Sequence, residues 1–404
     1  GMFSGEHASG RMEYPNPQHW REANADPTFL PEVLQDEGYH TGGFHYNALV
    51  SSSFGWNRGW NIYEDHMWDA DDSTESGWKQ SAHKILQKAN LANFVVDAKR
   101  TVQAKTPPHW ELMWNEITSF IEEAPEPFFL WVLLIDTHHP YYAPANHHEW
   151  SQPGIRATYG WNYAMRRYRD MVGERRESIV NAYDNTIRYA DTFVDRLFNK
   201  LETEGYGDEP LIVHSDHGDE FDEHGWYGHC NLPYDELTHV PLIISFPDDR
   251  GNPQSRQVTE IVRCVDIIPT IADYANIEFS AVMSDRLVGE SLMPLINDGQ
   301  PPEFDMVVTE KKVWSGSDLR FGFRTDDWKY LYDGTDETAL LYDLQADPKE
   351  TKNVIHDYPE VAERFQECLQ NRIECIEQTS ADVSIPDLNE STGVDERLRA
   401  LGYK

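Results

Sequence analysis

Asp216 and His217 stand side by side just after the apolar run Leu211-Ile212-Val213, within Ser215-Asp216-His217-Gly218-Asp219-Glu220. A carboxylate and an imidazole delivered together where a buried strand stops can offer two ligands to one metal ion. Gly218 then lets the backbone turn away. The carboxyl edge of a sheet is where α/β proteins bind their ligands. Taken alone, the pair fits a solvated turn equally well, so the residues that follow decide its weight.

The chain continues Phe221-Asp222-Glu223-His224-Gly225-Trp226-Tyr227-Gly228-His229, then Tyr234-Asp235-Glu236-Leu237-Thr238-His239-Val240-Pro241-Leu242-Ile243-Ile244. This succession resembles the signature of the sulfatases, metal-dependent ester hydrolases of the alkaline-phosphatase-like superfamily. Their pattern is S-D-H/N-G-E/D, a G-E-H-G-like turn, a basic residue, and Y-E/D-E-x-x-x-V-P-L-I. Sulfate and phosphate monoesters resist hydrolysis because their anionic oxygens repel a nucleophile, so an enzyme must neutralise that charge and stabilise the departing oxygen.

The resemblance implies roles for particular residues. Asp216 and His217 become ligands of a divalent metal, calcium by family habit, with manganese open to a histidine ligand. Asp136-Thr137-His138-His139-Pro140 is similar to the family's D-P-H-x-P, which implies that His138 contacts the ester oxygens or the leaving group; His139 competes for that role. His229 falls where many sulfatases carry a substrate-binding lysine, and no lysine occurs between Lys200 and Lys311. Imidazole in place of ammonium makes anion binding depend on pH. The family's G-K-W-H element corresponds to Phe44-His45-Tyr46-Asn47-Ala48, leaving His45 and Asn47 as weaker candidates. His224 is expected to be structural, and Asp219 and Glu220 to brace the loop. The stretch Tyr159 to Arg176 either lines the mouth of the site or packs as a surface insertion.

The family's nucleophile motif, C/S-x-P-x-R, has no match; Cys230-Asn231-Leu232-Pro233-Tyr234 lacks the arginine. The opening Gly1-Met2-Phe3-Ser4-Gly5-Glu6-His7 resembles the T-G-x-x-P-x-x-H segment that follows the nucleophile in sulfatases. The expectation is a chain that starts after its nucleophile and holds half a metal site, with activity on small or saccharide sulfate esters impaired. The alternatives are a phosphodiesterase or phosphonate monoester hydrolase of the same superfamily, and a non-catalytic anion-binding relic.

Positioning these residues falls to alternating strands and helices. The spacing predicts a helix over Thr28 to His40, a strand from Thr41 to His45, helices from Ser81 to Val102 and Trp110 to Glu122, a core strand from Phe128 to Ile135, and a long amphipathic helix from Glu177 to Glu204. Its stripe reads Tyr183, Ile187, Ala190, Phe193, Val194 and Leu197. Strand, crossover helix, strand implies an α/β fold with a largely parallel sheet covered on both faces. Val265-Asp266-Ile267-Ile268-Pro269-Thr270-Ile271 resembles the sulfatase V-D-L-x-P-T-L helix start. After residue 300 short antiparallel strands and a helix from Val361 to Gln378 give a small α+β domain, so the expected division is 1–300, 301–378 and an acidic tail 379–404 with a short terminal docking helix.

Across 404 residues, 34 basic and 70 acidic side chains leave a net charge of −36. Only 12 of the basic residues are lysine. An acidic, lysine-poor surface is expected of a protein working in high salt, where counterions screen self-repulsion. Nucleic acid is excluded as a partner, because phosphate backbones call for clustered Lys and Arg. Four cysteines without metal-like spacing read as reduced thiols. The longest apolar run, Phe128 to Ile135, is too short to span a membrane. The opening residues do not read as a signal peptide, so a cytoplasmic location is expected, with an extracellular one left open.

Overall fold

The computed structural model describes residues 29–47, 50–52, 55–66, 109–150, 176–229, 231–246, 256–284, 287–312 and 319–381. The opening motif, the helix expected from Ser81 to Val102, Cys230, most of the Tyr159 to Arg176 stretch and the terminal docking helix lie outside them.

A three-stranded parallel sheet has β1 (His40–His45) at its centre, between β2 (Ile62–Asp65) and β3 (Phe128–Leu133). Parallel neighbours need crossover connections, as the sequence pattern required. Helix α1 (Leu30–Asp36) leads into β1. It starts where Glu32 accepts the Phe29 N–H at 2.8 Å, and it stops short of the expected His40 because Gly38 turns with φ 88°. The helix expected at Trp110 is split: a 3-10 turn (Trp110–Leu112) precedes α2 (Trp114–Glu123), with fully buried Met113 between them.

Helix α3 (Arg176–Glu204) covers one face of the sheet, packing Tyr189, Phe193 and Leu197 against Trp110, Ile117 and Phe120. Of the expected stripe, Phe193 and Leu197 are buried and Tyr183 and Val194 pack against the core, but the buried face is wider and leaves out Ile187. Ile187 is 45% exposed, whereas Asn185, Thr186 and Tyr189 are fully buried. An apolar count could not include Asn185, which satisfies its amide by accepting the Glu149 and Trp150 N–H groups and donating to the Trp150 carbonyl. A buried polar group paired in this way carries little penalty.

Strand β4 (Leu211–His214) delivers the Asp216 loop and pairs antiparallel with β7 (Leu242–Ser245). Between them lie the small hairpin β5 (Glu220–Phe221) and β6 (Tyr227–Gly228) and the one-turn helix α4 (Asp235–Thr238). Helix α5 (Ile267–Ala275) begins at Asp266, as expected; this carboxylate is fully buried and accepts from the Arg263 N–H, the Arg263 guanidinium and the Glu290 N–H at 2.7–2.9 Å. Two short helices, α6 (Ala281–Ser284) and α7 (Met293–Asp298), follow.

The C-terminal part is an antiparallel sheet of order β11-β10-β9-β8, made of β8 (Val307–Lys312), β9 (Leu319–Arg324), β10 (Trp328–Asp333) and β11 (Thr338–Asp343). Helix α8 (Pro359–Ala381) lays Phe365 and Leu369 on Phe321, Phe323 and Tyr330. This sheet grips the loop after β6 through Lys329, only 2% exposed, whose ammonium reaches Asp235 at 2.5 Å and Glu350 at 3.3 Å. Glu350 also accepts the Asp235 N–H at 2.8 Å.

Candidate functional site

Three segments meet beyond the strand ends. The loop after β3 brings His138 and His139, the loop after β4 brings His217, and the end of β6 brings His229. His229 is the hub: its ring centroid lies 4.3 Å from His217, 5.2 Å from His138 and 5.3 Å from His139. His138 and His139 stack on each other at 4.2 Å.

His138, His217 and His229 are each set by an oxygen partner. His217 Nδ1 lies 3.0 Å from the Gly218 carbonyl and His138 Nδ1 lies 2.6 Å from the His139 carbonyl. His229 Nδ1 lies 2.8 Å from Asp219 Oδ1. These oxygens accept, so the proton sits on Nδ1 and Nε2 keeps its lone pair in the neutral ring. Asp219 is fixed in turn by Tyr141, whose hydroxyl donates to Oδ2 at 2.5 Å. Asp219 thus holds His229 on one oxygen and Tyr141 on the other.

Burial and the neighbouring His229 push His138 down to about 4, against the pull of Asp219. Burial also lowers His229, with His217 and Lys311 adding repulsion, while Asp219 opposes. Burial alone would raise Asp219, but the hydrogen bonds from His229 and Tyr141 outweigh it and hold the carboxyl below its usual range. Burial thus favours the neutral ring in His138 and His229, beside the Asp219 carboxylate.

Asp216 stands on the open rim. Its side chain is 49% exposed and Oδ2 lies 3.9 Å from His217 Nε2. Two donors at metal bond lengths of about 2.0–2.6 Å fall within that spacing on one ion, and the Nδ1 bond of His217 leaves Nε2 to face it. The donor set thus fits a divalent cation bound by one oxygen and one nitrogen, with further ligands still required. Asp219, not Asp216, sits with His217 and His229 in the tighter group, whose ligand atoms lie within 4.8 Å of one another.

Gly218 has a reason beyond turning. A Cβ there would lie 2.1 Å from the Glu236 carbonyl oxygen, and the Gly218 N–H donates to the Leu237 carbonyl at 3.0 Å. The Asp216 loop is thereby pinned to α4. His224 stacks on Tyr234 at 3.6 Å and bonds Glu236 at 3.0 Å, away from the four imidazoles, which fits its expected structural part. His45 is fully buried beside Tyr63, and burial drives it down to about 4; it accepts the Asn47 N–H at 3.2 Å. No bond links His45 or Asn47 with the imidazole cluster among the described residues. Arg176, at the end of the aromatic stretch, bonds the Phe221 carbonyl and Glu223, so it braces the signature loop.

The sequence reading missed Lys311. It arrives from β8, more than eighty residues beyond the loop, and its ammonium donates to the His229 and Asn231 carbonyls. A lysine thus does stand behind His229, supplied by the C-terminal sheet. Lys311→Met should raise the His229 pKa by removing a repulsive charge, while Lys311→Arg should leave it low. Histidine-resolved NMR titration reads both, and an unmoved His229 in Lys311→Met would contradict the linkage.

The sulfatase family model matches residues 2–277, and a model described as N-sulphoglucosamine sulphohydrolase, C-terminal, matches residues 222–379. The chain belongs to the sulfatase family. Arylsulfatase K of Gallus gallus is 32% identical over 170 residues, covering 40% of this chain and 30% of that protein. N-acetylglucosamine-6-O-sulfatase of Bacteroides thetaiotaomicron is 31% identical over 209 residues, 50% of this chain and 36% of that protein. The matched stretch spans about a third of each relative.

Among solved structures, a protein in complex with its substrate D-glucosamine-2-N,6-O-disulfate superposes with TM-score 0.65 at 16% identity, covering 94% of this chain and 87% of the other. The phosphonate monoester hydrolase of Silicibacter pomeroyi superposes with TM-score 0.64 at 18% identity, covering 95% and 87%. At such identities the likeness is one of fold. Sulfatases generally use a divalent metal, and His, Asp and Glu groups able to hold one are present here. No helix among the described residues is long and apolar enough to cross a membrane.

Proposed function

We propose that this chain forms the metal-binding and oxyanion-binding part of a hydrolase acting on sulfate esters of saccharides. The observation that carries the reading is the convergence of His138, His217 and His229 beyond the strand ends of a sulfatase-family fold. Asp216 and His217 would hold the divalent cation, calcium or manganese, which supplies Lewis-acid neutralisation of the ester oxygens. His229 Nε2 would contact an ester oxygen, and His138 Nε2 would hold the proton given to the departing oxygen.

An anion entering the pocket reverses part of the depression of both imidazoles, since a nearby negative charge favours the protonated ring. Substrate binding would therefore take up a proton, which a lysine at the position of His229 would not require. A sulfated amino sugar is the favoured substrate class, because one relative is named an N-acetylglucosamine-6-O-sulfatase and one fold neighbour holds a glucosamine disulfate. The attacking group is not assigned, as no C/S-x-P-x-R occurs in these 404 residues.

Turnover of glucosamine 6-sulfate, an aryl sulfate and a phenyl phosphonate tests this reading, with the chain alone and mixed with a polypeptide carrying C/S-x-P-x-R. We expect little turnover alone and metal-dependent sulfate release from the mixture. Preference for the phosphonate would replace the sulfate reading with the phosphonate monoester one. Robust hydrolysis by the isolated chain would contradict the need for an added nucleophile.

A further inference from the structure

We propose that His138, His139 and His229 form a second metal site that takes a borderline transition ion such as Zn2+, apart from the Asp216–His217 pair. The inference rests on the reading of this pocket as a sulfate-ester site, because the ion would occupy the place given there to the ester oxygens.

Geometry carries it. The three residues offer ligand nitrogens that all lie within 4.8 Å of one another, and all three side chains are partly buried. Zn–N bonds of about 2.0–2.1 Å place tetrahedral nitrogens roughly 3.4 Å apart, a closure within reach of small ring rotations. The partners around the rings are those that metal-bound histidines keep. His229 Nδ1–H donates to Asp219, itself held by Tyr141, and His138 Nδ1–H donates to a backbone carbonyl. A carboxylate or carbonyl behind an imidazole fixes the tautomer and makes Nε2 a better ligand.

Ligand type separates the two sites. The Asp216–His217 pair offers a carboxylate oxygen, which calcium and manganese accept, whereas three imidazoles without a carboxylate suit Zn2+, Cu2+, Co2+ or Ni2+. Asp216 lies on the open rim, outside the three-imidazole group. His139 is the distinguishing residue: the ester reading uses His138 and His229, and a second adjacent imidazole adds what a transition ion needs. Zn2+ seated there would block both ester contacts and compete with substrate.

The test is an equilibrium Zn2+ titration of the full chain against a chromophoric chelator, in excess Ca2+, with Co2+ visible absorption as a second readout. We expect one equivalent of Zn2+ to bind, at least about tenfold more weakly in both His139→Ala and His139→Asn, and no more weakly in Asp216→Ala. Circular dichroism confirms that each variant is folded. Zn2+ affinity indifferent to both His139 substitutions, or abolished by Asp216→Ala, would overturn the proposal. These arms need no turnover, so they decide the metal site even if no sulfate ester is cleaved. Where turnover is found, hydrolysis that persists with Zn2+ bound also overturns it.

Discussion

Asp216→Ala should lower the affinity of the chain for Ca2+ or Mn2+ by about a hundredfold, with little change in stability. The carboxylate is 49% exposed and bonds the His217 N–H at 3.1 Å, with the His217 ring 3.9 Å away, so the fold loses almost nothing with it. What is lost is the anionic ligand. Outer partners of metal ligands alone are worth 10–100-fold in affinity, so a carboxylate ligand belongs at the top of that range or above. Mn2+ binding followed by electron paramagnetic resonance measures the change directly and needs no catalysis. His217→Ala should weaken binding similarly, whereas His224→Ala should not, because His224 faces Glu236 and Tyr234 instead. Equal Mn2+ affinity in Asp216→Ala and the unmodified chain would remove the metal from this loop.

The Asp216 loop was legible because its chemistry is local. An apolar run, a turn and a carboxylate beside an imidazole can be read within ten residues, and β4 ends where the pattern says it must. The parallel sheet was legible for a related reason, since alternating strands and helices allow few other arrangements. The end of α1 was legible too, since Gly38 is a local stop signal that turns with φ 88°, but the break at Met113 was not, because a fully buried Met113 acts through tertiary packing. The stripe of α3 was read only in part, because its buried face also includes Asn185, whose partners lie in a loop thirty-five residues away.

The same distinction governs the site. His138, His217 and His229 were each found from sequence, but their mutual contact arises only when three loops close together. His139 was treated as a rival to His138, whereas its ring stacks on that of His138 and faces His229. Lys311 could not be found by scanning near the signature, because a long-range sheet brings it in. Its only sequence trace was the long lysine-free interval that ends at it.

Glu220→Gln should stabilise the chain at alkaline pH by up to about 3 kcal/mol and leave it nearly unchanged at pH 4. Glu220 is fully buried in β5; Oε1 accepts from Asn231 at 3.1 Å, while Oε2 finds no partner among the described residues. Burial pushes this carboxyl up to about 7, with Asn231 and His224 opposing and Glu236 and Glu223 adding repulsion. The folded chain thus holds the proton more tightly than the unfolded one. The stabilisation from that proton is fully present below the unfolded pKa, about 4.5, and is lost as pH rises through 7. Glutamine keeps the uncharged shape at every pH, retains the oxygen facing Asn231, and turns the other oxygen into a donor near acidic neighbours. His45 acts in the opposite sense: held at about 4, it costs stability as pH falls from 6.5 towards 4, so the two groups press on the fold from opposite ends of the pH scale. Urea midpoints at pH 4, 6 and 8.5 separate them. A Glu220→Gln curve that runs parallel to the parent across that range would show that Glu220 ionises freely in the folded chain, and the buried, repelled carboxyl would have to be abandoned.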